Sequence, residues 1–524
     1  MGCCVADAVP SRGGRAILDT AEVVQFEIAL EEAARADESG VGRFIEPAAG
    51  TLNRALSNRH HLVFGRRGSG KTSLLQKARS ELIANRRPNA FIDMEKYKAH
   101  TYPDVLISVV IETFQAISSW LNDAAIAPAT KRSVWQKVRP KRGPLKRSDS
   151  HDIAQLLDNH VGELRTLLFA EDGATVEMLR RGQWSREGHF SAGLNAGAPG
   201  ASGNVEGGRS QSASELNETH ESVTRSKIDF LHRRVIDFQV TLRKVVGLSD
   251  ENGFILLDDL YYIRKADQPD VLDYFHRLFK GSGLWLKVGT IRHRSGWYRH
   301  GDPPVGMKLG DDVEEIDLDL TLEKYNTAKA FLQRIANEIA IDSSVSLNSL
   351  VNEGARDRLV LASGGVARDY LSILRKSIPV AREQGRNQVN VAAVNQAAAE
   401  HEATKRDEFR RDVIDGESEL ESEFQSIRSF CFRQQANCFT VEKDLGNIQY
   451  ERVRELVDLR LIHAIASRVT VRSRPGRIYE AFMLDISQYV GERKRRNFEI
   501  LEFWRPAGVD KLRQTSLIYA EANT

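Results

Sequence analysis

The sequence predicts an α/β fold: a parallel sheet covered by helices on both faces, then a helical segment, then a small unit that ends in two strands. Three observations carry this reading. Short apolar runs alternate with helix-length stretches between residues 61 and 322, the pattern of strands buried on both faces. A glycine-rich turn joins the first apolar run, Leu62-Val63-Phe64, to a helical pattern that opens at Lys71. Beyond Leu322 the strand signals give way to helical periodicity, which persists until two strand-like runs at 461–466 and 477–484.

In chain order, residues 1–20 are poor in apolar side chains, and a helix follows over Ala21 to Arg35. Phe44-Ile45-Glu46-Pro47 leads into a short helix over Gly50 to Leu56. Strands are expected at Leu62–Phe64, Ala90–Met94, Gly253–Asp258, Leu284–Thr290 and Glu315–Leu322. Helices are expected at Lys71–Ala84, Tyr102–Leu121, Ser226–Val246 and Asp270–Lys280, and, past the sheet, at Tyr325–Ile339, Glu353–Ala362, Val366–Val380, Val391–Glu402 and Glu417–Arg433. A short helical pair, Val441–Leu445 and Tyr450–Leu459, precedes the last two strands, giving winged-helix order.

The strands are interrupted between about Pro128 and Val223. Eight basic residues and no acidic ones lie between Lys131 and Arg147, and a Gly/Ala/Ser-rich tract runs from Ser191. A short helical patch, Ile153–Phe169, separates them. The stretch reads as an insertion whose removal leaves an intact core. The resulting division is an N-terminal extension (1–43), a nucleotide domain (44–322) with insertion 128–223, a helical lid (323–408), a winged-helix unit (417–490) and a basic C-terminal tail (491–524).

The 524 residues carry a net charge of +2, so whole-chain charge does not argue for a polyanion. Four cysteines, Cys3, Cys4, Cys431 and Cys438, form no disulfide framework, and no apolar leader follows MGCCVA. Val105–Leu121 contains Glu112 and Gln115 and reads as a buried helix rather than a membrane span. These features suit a cytoplasmic protein.

The chemistry is concentrated in GRRGSGKTS, residues 65–73. Gly65, Gly68 and Gly70 let successive backbone N–H groups converge on an anion, together with Arg66, Arg67, Ser69 and Ser73 in the same loop. Lys71 adds a point charge for the β- and γ-phosphates, and Thr72 a hydroxyl for Mg²⁺. In FILLDDL, residues 254–260, four apolar residues bury a strand and deliver Asp258 to its C-terminal end as the second Mg²⁺ group. Asp259 follows where a carboxylate would orient the attacking water. Thr290 or Arg292, ending LWLKVGTIR, falls where a γ-phosphate sensor would sit, with Arg294 close behind.

Together GRRGSGKTS, FILLDD, GTIR and the downstream SGGVARDYL resemble the AAA+/STAND group of P-loop ATPases, in particular its initiator-like branch with a C-terminal winged helix. The resemblance implies an additional-strand sheet, ATP and Mg²⁺ as ligands, and a lid arginine on the γ-phosphate, for which Arg368 is in the matching place. It departs at Asp259, where AAA+ motors carry Glu. An Asp-Asp pair is closer to STAND switches and implies a slow nucleotide-dependent switch, with ATP-driven self-association.

Two partner readings stay open. One is DNA, held by the basic insertion, by the wing arginines Arg468, Arg472, Arg474 and Arg477, and by Arg493–Arg496; a role in phage defence fits this reading and the next alike, by analogy. The other is a protein partner with no nucleic-acid role. A weaker third reading sets the basic tract against anionic lipid. The candidate recognition helix, IQYERVRELVDLR, mixes Arg452 and Arg454 with Glu451, Glu455 and Asp458, which favours packing over groove reading.

Overall fold

The computed structural model describes residues 17–34, 44–126, 147–169, 213–249, 251–412, 417–443, 447–471, 473–490 and 498–519. The basic tract 131–146, the Gly/Ala/Ser-rich tract, Cys3, Cys4, Arg472 and Arg493–Arg496 lie outside them.

Five parallel strands form the central sheet: β1 (His61–Phe64), β2 (Asn89–Asp93), β3 (Gly253–Asp258), β4 (Leu284–Thr290) and β7 (Glu314–Asp317). Their spatial order is β2-β3-β4-β1-β7. One strand, β4, therefore stands between the strand that feeds the glycine-rich turn and the strand that ends in Asp258. This is the additional-strand P-loop sheet that the sequence predicts. A two-stranded hairpin, β5 (Tyr298–Arg299) and β6 (Val305–Gly306), sits between β4 and β7.

Side-chain alternation along each strand sorts the core into two layers. Val63, Phe254, Leu256 and Ile316 face the helix α3 (Lys71–Ala84), through Leu74, Leu75, Ala78 and Leu82. Leu62, Phe64, Ile255, Leu257 and Val288 face the opposite layer. That layer contains α4 (Asp104–Ile126), α5 (Arg147–Leu168), α6 (Ala213–Ser249) and α7 (Gln268–Phe279). Among the described residues one helix segment, Asp104–Asp123, is long and apolar enough to cross a membrane, but it is mostly buried inside the fold, so it serves as a core helix here.

Helix α5 revises the reading of the insertion. It starts at Arg147, and Leu157, Val161, Leu164 and Leu167 are buried in the same core as α4. Polar ties reinforce it: Lys227 Nζ reaches Asp104 at 2.9 Å and the Leu168 carbonyl at 3.1 Å, and His160 Nε2 lies 3.0 Å from Thr241 Oγ1. Its polar first turn, Arg147-Ser148-Asp149, hid its length in the sequence. Excising 128–223 whole would take out a core helix.

Past the sheet come α8 (Tyr325–Asp342), α9 (Leu347–Leu350), α10 (Glu353–Ser363), α11 (Ala367–Glu383) and α12 (Val391–Asp412). Then follow α13 (Glu417–Gln434), β8 (Cys438–Glu442), α14 (Ile448–Asp458), β9 (Ile462–Val469) and β10 (Tyr479–Leu484). The strands form an antiparallel sheet in the order β8-β10-β9. The expected helix at Val441–Leu445 is absent at its start: Val441 belongs to β8, because the Cys438–Val441 run is β-branched, aromatic and buried, and pairs with β10. Cys431 and Cys438 are both buried, and burial pushes the Cys431 thiol up to about 12.

The boundaries drawn from sequence do not separate cores here. Lid helices, C-terminal strands and the N-terminal helix α1 (Ala21–Ala33) share one contiguous apolar cluster. Val23, Phe26 and Leu30 of α1 are buried in it. Residues 498–519 fold back onto the same body, with Trp504 stacked on Tyr325 at 4.4 Å and Ile518 bridged to Thr440. The final helix, α15, spans Pro506–Leu512.

Leu164→Ala should cost about 2–5 kcal/mol in urea unfolding, as for a buried leucine that leaves a cavity. A loss below about 0.5 kcal/mol would place α5 outside the core.

Candidate functional site

The C-terminal ends of β1 and β3 open into a cavity of about 480 Å³ beneath the lid. The glycine-rich loop after β1 forms its floor, with Arg67, Gly68, Ser69, Gly70, Lys71, Thr72 and Ser73 on the wall. Gly68 and Gly70 have φ of +84° and +98°, the left-handed conformation that glycine adopts without steric cost. Ser69 Oγ is buried without a hydrogen-bond partner among the described residues. Lys71 is buried; its Nζ donates to the Gly65 carbonyl at 2.9 Å and the Arg66 carbonyl at 3.3 Å. Burial pulls its pKa down, opposed by Asp259 and Asp258.

Asp258 stands at the end of β3, side by side with Asp93 of β2. Its Oδ1 accepts from the Asp259 amide at 3.0 Å, and Thr72 also hydrogen-bonds the carboxyl. Burial first, and the neighbouring Asp259 second, push it up to about 7. Gly289 of β4 makes room for this carboxyl, since a Cβ there would lie 2.5 Å from Asp258 Oδ1.

Asp259 lines the cavity, and burial raises its pKa against the pull of Lys71. Its backbone is left-handed, φ +57° and ψ +46°. Asp and Asn tolerate this region better than longer side chains do. The short carboxylate thus suits the backbone turn as well as the cavity. Tyr261 and Tyr262 follow it onto the wall; Lys71 Nζ lies 5.7 Å from the Tyr261 ring centroid, and Arg67 donates to the Tyr262 hydroxyl at 3.3 Å.

From the lid, Arg368 reaches the cavity at the first turn of α11. Its backbone amide donates to the Gly68 carbonyl at 3.3 Å. The structure therefore brings together the loop from Arg67 to Ser73, Asp259 and Arg368, with Asp258 bonded to Thr72 just behind.

Other expected residues lie elsewhere. Gly65 sits behind the loop, its amide bonded to the Thr290 carbonyl at 3.2 Å. Arg66 is buried with its guanidinium turned away from the cavity, donating to Asp319 at 3.2 Å and to the Gly364 carbonyl at 3.1 Å. Thr290 is fully buried, its hydroxyl held by Ser295. Arg292 lies over the Phe64 ring at 4.0 Å and pairs with Glu315 at 3.1 Å, outside the cavity wall. Arg294 lies 5.4 Å from the Tyr261 ring centroid.

The sequence reading missed the far wall. Phe44, Ile45 and Pro47, with Phe331, Ile335, Ile339 and Leu371, give it an apolar side, and Glu32–Ala34 of the N-terminal segment and Glu338 close it. The signal was FIEP: Glu46 accepts from the amides of Gly50 and Leu52, both at 2.9 Å, and so caps the helix α2 (Thr51–Ala55) and fixes Phe44 and Ile45. Glu95, in the turn after β2, is a further carboxylate on the polar side.

No known protein family and no curated protein matches the chain's sequence. Solved structures similar to it include the Drosophila ORC bound to DNA, at 12% identity and TM-score 0.34, covering 93% of this chain and 94% of that one. The Aeropyrum pernix ORC1 protein in complex with DNA gives 14% identity and TM-score 0.30, covering 90% and 93%. The Aeropyrum pernix ORC2 protein (ADPNP-ADP complexes) gives 11% and 0.32, covering 90% and 93%. At such scores the likeness carries no argument, and the fold rests on the strand order above.

A carboxyl with a raised pKa disfavours the folded state as pH rises from its unfolded value, near 4, through its folded value. For Asp258 that window closes at about 7. Asp259→Asn removes the adjacent charge and keeps a side chain that accepts the left-handed backbone. The nucleotide-free variant should therefore melt about 2 °C above wild type at pH 8, with the gap closing toward pH 4. A variant melting well below wild type at pH 8 would show that the Asp259 carboxylate is needed for the fold.

Proposed function

We propose that the chain is a MgATP-dependent conformational switch that hydrolyses slowly. The observation that supports this best is the shared wall: phosphate loop, Asp259 and lid Arg368 face one cavity, from two structural units. The fit to a nucleotide is good on the chain's own atoms. Gly68 and Gly70 give the loop the left-handed turns with which backbone amides can converge on an anion, Ser69 Oγ has no hydrogen-bond partner among the described residues, and an apolar wall stands opposite the polar floor.

In this reading the loop amides and Lys71 hold the phosphates, and Phe44, Ile45 and the lid side chains hold the base. Thr72 and Asp258 hold Mg²⁺, which when bound neutralises phosphate charge. Asp259 orients water. Its short carboxylate, set by the left-handed backbone, favours slow turnover. Arg368 answers the γ-phosphate and draws the lid in.

For DNA, the candidate recognition helix α14 argues against groove reading. Tyr450 donates to Glu480 at 2.6 Å, Arg454 Nε reaches His293 Nε2 at 3.3 Å, and Asp458 accepts from the His293 amide at 3.1 Å. Burial pushes the Asp458 carboxyl up to about 7, with Asp319 adding to it. A helix so engaged suits packing on the nucleotide domain, and we read the winged-helix unit as a partner-facing element whose wing arginines, Arg468, Arg474 and Arg477, are, among the described residues, a route to a polyanion. ATP-driven self-association belongs to the same proposal.

Lys71→Ala should weaken MgATP binding by at least about 100-fold in calorimetry, the loss of roughly two charge-assisted hydrogen bonds. An unchanged affinity would overturn the phosphate-loop assignment. Arg368→Ala should keep ATP bound within about tenfold of wild type while the ATP-induced change in X-ray scattering disappears. The same scattering change in the variant would remove Arg368 from the switch. Asp259→Asn should bind ATP and turn it over at least tenfold more slowly; wild-type turnover would make Asp259 structural.

A further inference from the structure

Behind Arg368 lies a cluster of charges that the nucleotide chemistry does not use. Asp369, the next residue on α11, is 1% exposed. Its Oδ1 accepts from Arg460 Nη1 at 2.6 Å and lies 3.3 Å from His401 Nε2. Arg460 belongs to the turn between α14 and β9, where it takes a left-handed φ of +64°, and it also pairs with Glu408 of α12. Lys405 of α12 lies 3.8 Å from Asp369 Oδ2 and donates to Asp485 at 2.7 Å. Asp485, just past β10, is 2.7 Å from His463 Nε2.

The cluster returns to the phosphate loop by a second route. The His463 ring packs against Gly364 so closely that a Cβ there would stand 2.0 Å from His463 Nδ1. The Gly364 carbonyl in turn accepts from Arg66 of the loop. Contacts therefore form a ring: Arg66, Gly364, His463, Asp485, Lys405, Asp369, Arg368 and, through the Arg368 amide, Gly68. Three structural units contribute to it.

The charges fit a fixed, low-dielectric junction. Burial alone would raise the Asp369 carboxyl, but Arg460 and Lys405 outweigh it and hold it far below the usual carboxylate range. Asp485 behaves likewise, held down by Lys405 and His463 against burial. Burial also lowers His463. Removing one member leaves a buried charge without its partner, which disfavours this packing of α11 on the C-terminal unit.

Resting on the nucleotide reading above, we propose that Asp369 is the positioning residue for Arg368, anchored by Arg460, and that this ring couples the nucleotide cavity to the C-terminal sheet. Asp369 fixes the first turn of α11, which carries Arg368 to the cavity. Arg460 fixes Asp369 from the C-terminal unit. A partner that shifts the turn between α14 and β9 would thus change how Arg368 meets the nucleotide.

A double-mutant cycle on the full chain tests this. Arg368→Ala and Asp369→Asn should each weaken MgATP binding, the first by about tenfold and the second by three- to tenfold, and the double variant should be no weaker than Arg368→Ala alone. Multiplying effects, or wild-type affinity in Asp369→Asn, would overturn the proposal. Should Asp369→Asn fail to fold, Arg460→Lys, which keeps the charge and loses the fork, carries the same cycle with the same criteria. Amide exchange of the nucleotide-free proteins separates this claim from the nucleotide reading. Exchange at residues 65–72 and at the Arg368 amide should rise in Asp369→Asn whatever ligand the cavity takes. Unchanged exchange there overturns the proposal even if MgATP binds.

Discussion

The cavity depends on how closely the lid approaches the glycine-rich loop at Gly68. A Cβ at that position would lie 2.7 Å from Arg368 Cβ and 3.1 Å from a Val366 methyl. The absence of a side chain lets the Arg368 amide meet the Gly68 carbonyl, and its left-handed φ lets the loop turn toward the cavity. Without that approach the polar floor and Arg368 would not share one wall. The same constraint recurs at Gly365, where a Cβ would stand 2.1 Å from the Leu320 carbonyl. Backbone-to-backbone proximity at these two glycines joins sheet and lid.

From this junction the electrostatics follow. Asp258, Asp259 and Asp93 crowd negative charge at the ends of β2 and β3, partly balanced by Lys71. Such a site gains from a bound cation, because burial disfavours adjacent carboxylates that have none. Behind the lid the arrangement is otherwise: the buried carboxylates Asp369 of α11 and Asp485, just past β10, each have basic partners from another element.

Much of this was legible in the sequence, where local chemistry sets local structure. The phosphate loop, the FILLDD strand and α3 follow from apolar runs and glycine punctuation, and the strand order agrees with the motif reading. Arg368 could be singled out because Gly364-Gly365 marks the end of α10. Arg66, Thr290 and Arg292 show the limit: their positions near the motif are legible, but the direction of each side chain depends on Asp319, Ser295 and Glu315, partners distant in sequence or in a loop. The N-terminal wall of the cavity and the 498–519 return were not legible, because both arise from docking onto a core built elsewhere. Likewise the helical patch at Ile153–Phe169 was legible, but it read as part of an insertion since its first turn is polar and the helices that cover its apolar stripe, α4 and α6, are distant in sequence.

The central claim is that nucleotide in the cavity is registered across the lid in the C-terminal sheet. Hydrogen exchange of the full chain with and without MgATP tests this most directly. The account predicts slower exchange at residues 65–73, and also at 363–372 and 460–469, lost together in Lys71→Ala. Protection confined to 65–73, with 363–372 and 460–469 exchanging as in the free protein, would contradict it.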